Sequence, residues 1–128
     1  TSSLGFTITN SNTTTALSGI TLTDALPANL IVSDATTPNV CGAGSMLTVT
    51  AATRTITLTG GSLAAGNPIP TTCTFNVTVG AAVAGGYTNL INSISSIEGG
   101  TNSTPVMATL AVVAPPMISK SFSPMMVQ

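Results

Sequence analysis

Apolar and polar residues alternate along most of this chain. Leu4, Phe6 and Ile8 fall on one side of a period of two, with Thr7 and Thr9 on the other. Ile20 and Leu22 alternate with Thr21 and Thr23, Leu47 and Val49 with Thr48 and Thr50, and Ile56 and Leu58 with Thr55, Thr57 and Thr59. Cys73, Phe75, Val77 and Val79 share one parity against Thr74, Asn76 and Thr78, and Val106, Ala108, Leu110 and Val112 repeat the pattern. A period of two with β-branched Thr on the wet side marks antiparallel strands with one face buried. Turn formers separate the runs, among them Asn10-Ser11-Asn12, Gly42-Ala43-Gly44, Gly60-Gly61, Gly66-Asn67-Pro68, Gly85-Gly86 and Gly99-Gly100. No segment holds a 3.6-residue period over three turns. The spacing predicts an all-β, Ig-like Greek-key sandwich of about eight or nine short strands. Between Tyr87 and Ile97 the alternation fails, because Leu90 and Ile91 are adjacent. A bulge or a change of sheet is expected there.

Composition narrows what such a sandwich can do. The chain has 128 residues, enough for one domain with a real core. Charged residues make up 4% of it, where about a quarter is usual, so Thr, Ser and Asn must supply the polar surface. The charges are Arg54 and Lys120 against Asp24, Asp34 and Glu98, and there is no His. Two basic residues cannot neutralise enough phosphates for nucleic-acid binding. No apolar run approaches the length of a membrane span, since Val106–Ile118 is broken by Thr109 and Pro115-Pro116. No signal peptide opens the sequence, which reads as a mature form or a piece of a longer chain.

Enzymatic chemistry finds no support. Ser and Thr lack a His to activate them, and neither Gly60-Gly61 nor Gly99-Gly100 precedes a helix as a phosphate loop would. No cofactor or metal site is expected. Cys41 and Cys73 fit no zinc spacing and leave two readings, a structural disulfide or two buried thiols. The disulfide is favoured, because Thr-rich strand proteins of this kind are usually exported to oxidising surroundings. The expected location is therefore extracellular, at a cell surface. The parity of Cys73 puts it on the core face.

The two ends of the chain belong together. After the Pro115-Pro116 break, the segment Met117–Gln128 reads as one more strand, with Ile118, Phe122, Pro124 and Met126 on one face. It contains Lys120-Ser121-Phe122-Ser123-Pro124, while the chain opens with Phe6-Thr7-Ile8-Thr9-Asn10 and continues to Thr23-Asp24-Ala25-Leu26-Pro27. In that circular order these motifs resemble the conserved tandem Ig-like repeat of bacterial extracellular surface proteins, shifted so that the opening strand lies at the C-terminus. The resemblance implies a sandwich over residues 1–114 that lacks its first strand, a linker at 115–116 and a donor strand at 117–128. A sandwich without that strand exposes an apolar groove and an unpaired edge. An equivalent strand from another copy would fill it, which is donor-strand complementation. Repeated without closure, the contact gives a filament.

The sequence therefore predicts a structural subunit of an extracellular bacterial filament or surface fibre. Ile118, Phe122 and Met126 are the expected anchors, and Leu4, Phe6, Ile8, Ile20, Leu22, Val77 and Leu110 the expected groove. Its partners would be identical copies, or adjacent repeats if the chain is one period of a covalent stalk. A glycan- or protein-binding adhesin module is the rival from another class, disfavoured because Tyr87 is the only Tyr and Trp is missing. Asp24 before Leu26-Pro27 is read as an Asx-type turn rather than a calcium ligand. Asn12, Asn76 and Asn102 begin sequons, so attached glycans would suit the uncharged surface. Lys120 is read as a solvated edge residue in preference to a partner in an isopeptide bond, for which the spacing singles out no Asn or Asp.

Overall fold

The alternating runs become strands because each has one face to bury and Thr to leave in water. A computed structural model describes residues 1–123. Its strands are β1 (Ser2–Asn10), β2 (Leu17–Ala25), β3 (Leu30–Ile31), β4 (Ala35–Pro38), β5 (Met46–Thr50), β6 (Thr55–Leu63), β7 (Thr71–Ala81), β8 (Gly85–Ile91), β9 (Ile94–Ser96), β10 (Gly100–Asn102) and β11 (Val106–Val112). One layer is the sheet β1-β7-β3, and the other is β10-β9-β2-β6-β5-β4. β8 pairs with β11 throughout, from Val106 opposite Ile91 to Val112 opposite Gly85. These two strands form a separate two-stranded sheet, joined to the larger one through the chain, since β8 leads into β9 and β10 into β11. The architecture is an all-β sandwich.

Eleven segments appear where eight or nine were expected, because long runs are interrupted. The break at Asn92-Ser93 follows directly on the adjacent Leu90 and Ile91, where alternation fails. Past the break, β9 pairs with β2, placing Ser95 opposite Thr21 and Ile94 opposite Leu22.

Both layers contribute to one core. Ile56 and Leu58 of β6 are fully buried and meet Ile20 and Leu22 from β2 and Phe6, Phe75, Val77 and Val79 from the smaller sheet. Phe6 and Phe75 are register partners whose rings stack with centroids 4.7 Å apart, locking β1 to β7. Such a pair adds about 0.5–1.5 kcal/mol beyond the area it buries. Cys41, in the turn after β4, forms a disulfide with Cys73 of β7, with Cα atoms 5.4 Å apart. Both are buried, so the bond ties the larger sheet's loop to the middle strand of the smaller one.

Two polar side chains fix the connections. The buried Asn10 donates from Nδ2 to the carbonyls of Thr15 and Ala64, each at 2.9 Å, and accepts at Oδ1 from Asn12. It thereby holds the β1–β2 turn against the end of β6. Tyr87 donates its hydroxyl to the Val83 carbonyl at 2.6 Å, a corner of the kind that carries the chain between layers in Ig-like sandwiches.

Replacing Cys41 and Cys73 by Ala together should lower the unfolding free energy by about 3–4 kcal/mol on the chain-entropy estimate for a loop of this size. Urea unfolding of the double variant against the oxidised protein measures it, and an unchanged midpoint would mean the disulfide constrains nothing.

Candidate functional site: the open groove beside strand β1

All nine residues of β1 pair with β7 along one side. Among the described residues no strand pairs with its other side. The far edge of β10 and β11 is equally without a ladder among them. Between these two edges lies a groove of about 510 Å³. Leu4, Phe6 and Ile8 line it from β1, and Ile91, Val106 and Met107 from the opposite side. Ile20 and Leu22 form part of its floor.

Local sequence explains how the floor is laid. Leu17 and Ile20 have opposite parity on β2, yet both line the groove. The ladder to β6 shifts register between them, and Gly19 in this bulge has a φ of 58°, a left-handed conformation that favours glycine. A Cβ there would also lie 2.9 Å from the Ile97 side chain. One end of the groove is fastened by Glu98, whose carboxylate accepts from the Ser18 amide at 2.7 Å and the Ser18 hydroxyl at 2.6 Å. Those hydrogen bonds hold the Glu98 carboxyl below its ordinary value.

A polar pair sits beneath this apolar lining. Asp24 is 0% exposed and Asn89, which lines the groove, is 7% exposed. Asn89 donates from Nδ2 to Asp24 Oδ2 at 2.6 Å. The other carboxylate oxygen of Asp24 and the amide oxygen of Asn89 have no partner. Burial pushes the Asp24 carboxyl up, and the Asn89 hydrogen bond only partly offsets the rise. A proton on Asp24 would turn its unpartnered oxygen into a donor and leave Asn89's open oxygen as an acceptor, the complementary arrangement of an acid and an amide.

The Asx-turn reading of Asp24 is therefore corrected. Asp24 lies within β2 facing inward, and the turn comes later, where the Leu30 amide donates to the Pro27 carbonyl. The signal was available: Ile20, Leu22, Asp24 and Leu26 share one parity, so the buried face runs through the acid. Asn89 likewise shares the parity of Tyr87 and Ile91.

Of the residues expected to form the groove, Leu4, Phe6, Ile8, Ile20 and Leu22 come together in its lining. Val77 does not, since it is buried on β7 and lines a separate hollow with Val32, Leu47 and Val49. Leu110 is half-buried against the core, outside the groove lining. Of the expected anchors, Ile118 is 98% and Phe122 79% exposed, and neither belongs to a strand. Met126 lies outside the described residues.

A family model matches residues 1–112, which end with the last residue of β11. The chain belongs to the DUF7933 family, described as a domain of unknown function. No curated protein matches the chain, and no solved structure does. The DUF7933 match takes in the whole sandwich and both walls of the groove, and stops short of the exposed Met117–Phe122 segment.

The buried acid of this DUF7933 domain gives stability an unusual pH dependence. With its carboxyl raised, folded Asp24 keeps a proton that the unfolded chain releases near 3.8. Its contribution is complete below that value and is lost as pH rises through the raised one. Glu98 runs the other way, contributing above 4.5 and losing that contribution as pH falls through its lowered value. Asp24→Asn should abolish the fall in Tm on the alkaline side of 3.8 while keeping the acid-side fall. Calorimetry across pH tests this, and a wild-type Tm that rose steadily through that range would contradict a proton held on Asp24.

Proposed function

We propose that this chain is a structural subunit of an extracellular bacterial filament or surface fibre, joined head to tail by insertion of its C-terminal segment into the groove of the next copy. One observation carries the reading. The sandwich has an apolar groove between two unpaired strand edges, while Met117, Ile118 and Phe122 of the same chain stand almost wholly in water. A strand laid along β1 would pair its open backbone and bury both sets of apolar side chains in one step. The segment 117–128 is long enough to follow all nine residues of β1.

The groove and its filler lie on different parts of the subunit. A contact of that kind is heterologous and, where rotation does not close it into a ring, propagates as an open fibre. The low charge supports the reading, because copies packed end to end have little to repel them. The disulfide agrees with an oxidising location outside the cell. The likeness of the end motifs to tandem Ig-like surface repeats supports the same contact, which would also join neighbouring modules of one longer polypeptide.

Deleting residues 117–128 should abolish polymerisation and leave folded monomers with an unchanged far-ultraviolet spectrum. Replacing Ile118 and Phe122 together by Ser should weaken assembly by at least tenfold in critical concentration. Sedimentation and negative-stain microscopy read both. Filaments formed by the truncated chain, or a full-length chain that stays monomeric with its tail folded into its own groove, would refute the assembly.

A further inference from the structure

Parity along the tail raises a question that docking alone does not answer. In a strand, Ile118, Lys120 and Phe122 point to the same side. The face that carries the apolar anchors thus carries the chain's one lysine between them. An amine pressed into an apolar groove is costly unless a polar group waits for it there. The groove offers such a group in Asn89, more than nine-tenths buried and backed by Asp24, with one unpartnered oxygen on each. The other buried polar side chains are already engaged. Asn10 is hydrogen-bonded through both ends of its amide, and Ser45 bonds the Cys41 amide and the Gly42 carbonyl.

We propose that Lys120 of a docked tail forms an isopeptide bond with Asn89 of the receiving copy, with Asp24 as the acid and base that moves the protons. The inference rests on the docking reading above and gives that contact a covalent outcome. The neutral Lys120 amine attacks Cγ of Asn89, and the new C–N bond forms as the carbonyl π electrons move to oxygen. A protonated Asp24 donates toward that oxygen and steadies the developing charge. The Asp24 carboxyl then gives its proton to the departing amide nitrogen and takes one from the attacking nitrogen, so that it ends protonated as it began. The Cγ–Nδ2 bond breaks, ammonia leaves, and the side chains remain joined as a secondary amide. Nothing is oxidised or reduced, and amine plus amide gives amide plus ammonia. Exclusion of water by Ile118, Phe122 and the groove wall would protect the intermediate and strengthen the short Asp24–Asn89 contact.

The test uses filaments of the full 128-residue chain, boiled in detergent with reductant so that no disulfide survives. The expected result is a ladder of multimers, each link lighter by one ammonia, with a branched chymotryptic peptide joining Lys120 to Asn89. Lys120→Arg, which keeps the charge but cannot form the bond, should still assemble and should fall wholly to monomer on the gel. Asp24→Asn should slow cross-linking by at least a hundredfold while filaments still form. Wild-type filaments that fall to monomers of unchanged mass would overturn the bond and leave the docking contact standing. A ladder that persists in Lys120→Arg, or an ammonia loss confined to monomers, would also overturn it. A chain that does not assemble at all would overturn the docking contact and the bond with it.

Discussion

The open side of β1 governs how the rest of this sandwich can be understood. Backbone amides and carbonyls on a strand edge must be paired, covered or left to water, and an apolar groove beside them adds a second demand. The smaller sheet is only β1-β7-β3, beside a larger one of six strands and the separate β8–β11 pair. Phe6 reaches the core because the Phe75 ring and the disulfide-anchored β7 hold β1 in place from its other side. Leu4 and Ile8, one step toward either end, are only partly covered. The same strand is thus finished on one side and unfinished on the other. A chain that folds this way gains from any strand that lies down along that edge.

The floor of the groove shows a second economy. Buried carboxyls and amides ordinarily have all their hydrogen-bonding groups answered, because each unanswered one costs about 1–3 kcal/mol. Asp24 and Asn89 answer each other with one bond and leave two oxygens open. Asn10 shows what this sequence does when a buried amide has only a structural task, with both ends of the side chain engaged. The contrast between two buried asparagines in one small domain sets Asn89 apart, and it does so next to the surface where the edge is open.

Much of this was legible in the residues. The Thr-for-apolar alternation gave the strands, the adjacent Leu90 and Ile91 marked the break at Asn92-Ser93, and the parity of Cys73 put its sulfur inside. Five groove residues were legible because an edge strand without a second partner leaves its own apolar side chains, and those beside it on β2, open on that side. Val77 was not separable from them, since parity says which face a residue occupies but not which end of the core it reaches. Asp24 was missed for a different reason. A local motif, an acid shortly before proline, was given more weight than the period of two running through it from Ile20 to Leu26. Where burial and turn chemistry compete for a short polar side chain, the strand's face decides first, because reversing it would turn out the neighbouring Leu22 and Leu26.

The scarcity of charge takes its meaning from where the charges lie. Glu98 spends its carboxylate on Ser18, Asp34 accepts the Ala51 amide at 2.7 Å, and Asp24 is inside. Arg54 sits in the turn between β5 and β6 in a left-handed conformation, where its carbonyl receives the Leu26 amide. The acids therefore serve the fold, and the broad faces of the sheets are left to Thr and Ser. Such faces neither steer nor repel, so in the proposed assembly shape and unpaired backbone would decide how copies meet. A surface with ordinary charge would have opposed close packing of identical subunits at every other point of contact. With that opposition removed, a single open edge and a single exposed segment would be enough, in the proposed assembly, to set the direction in which copies meet.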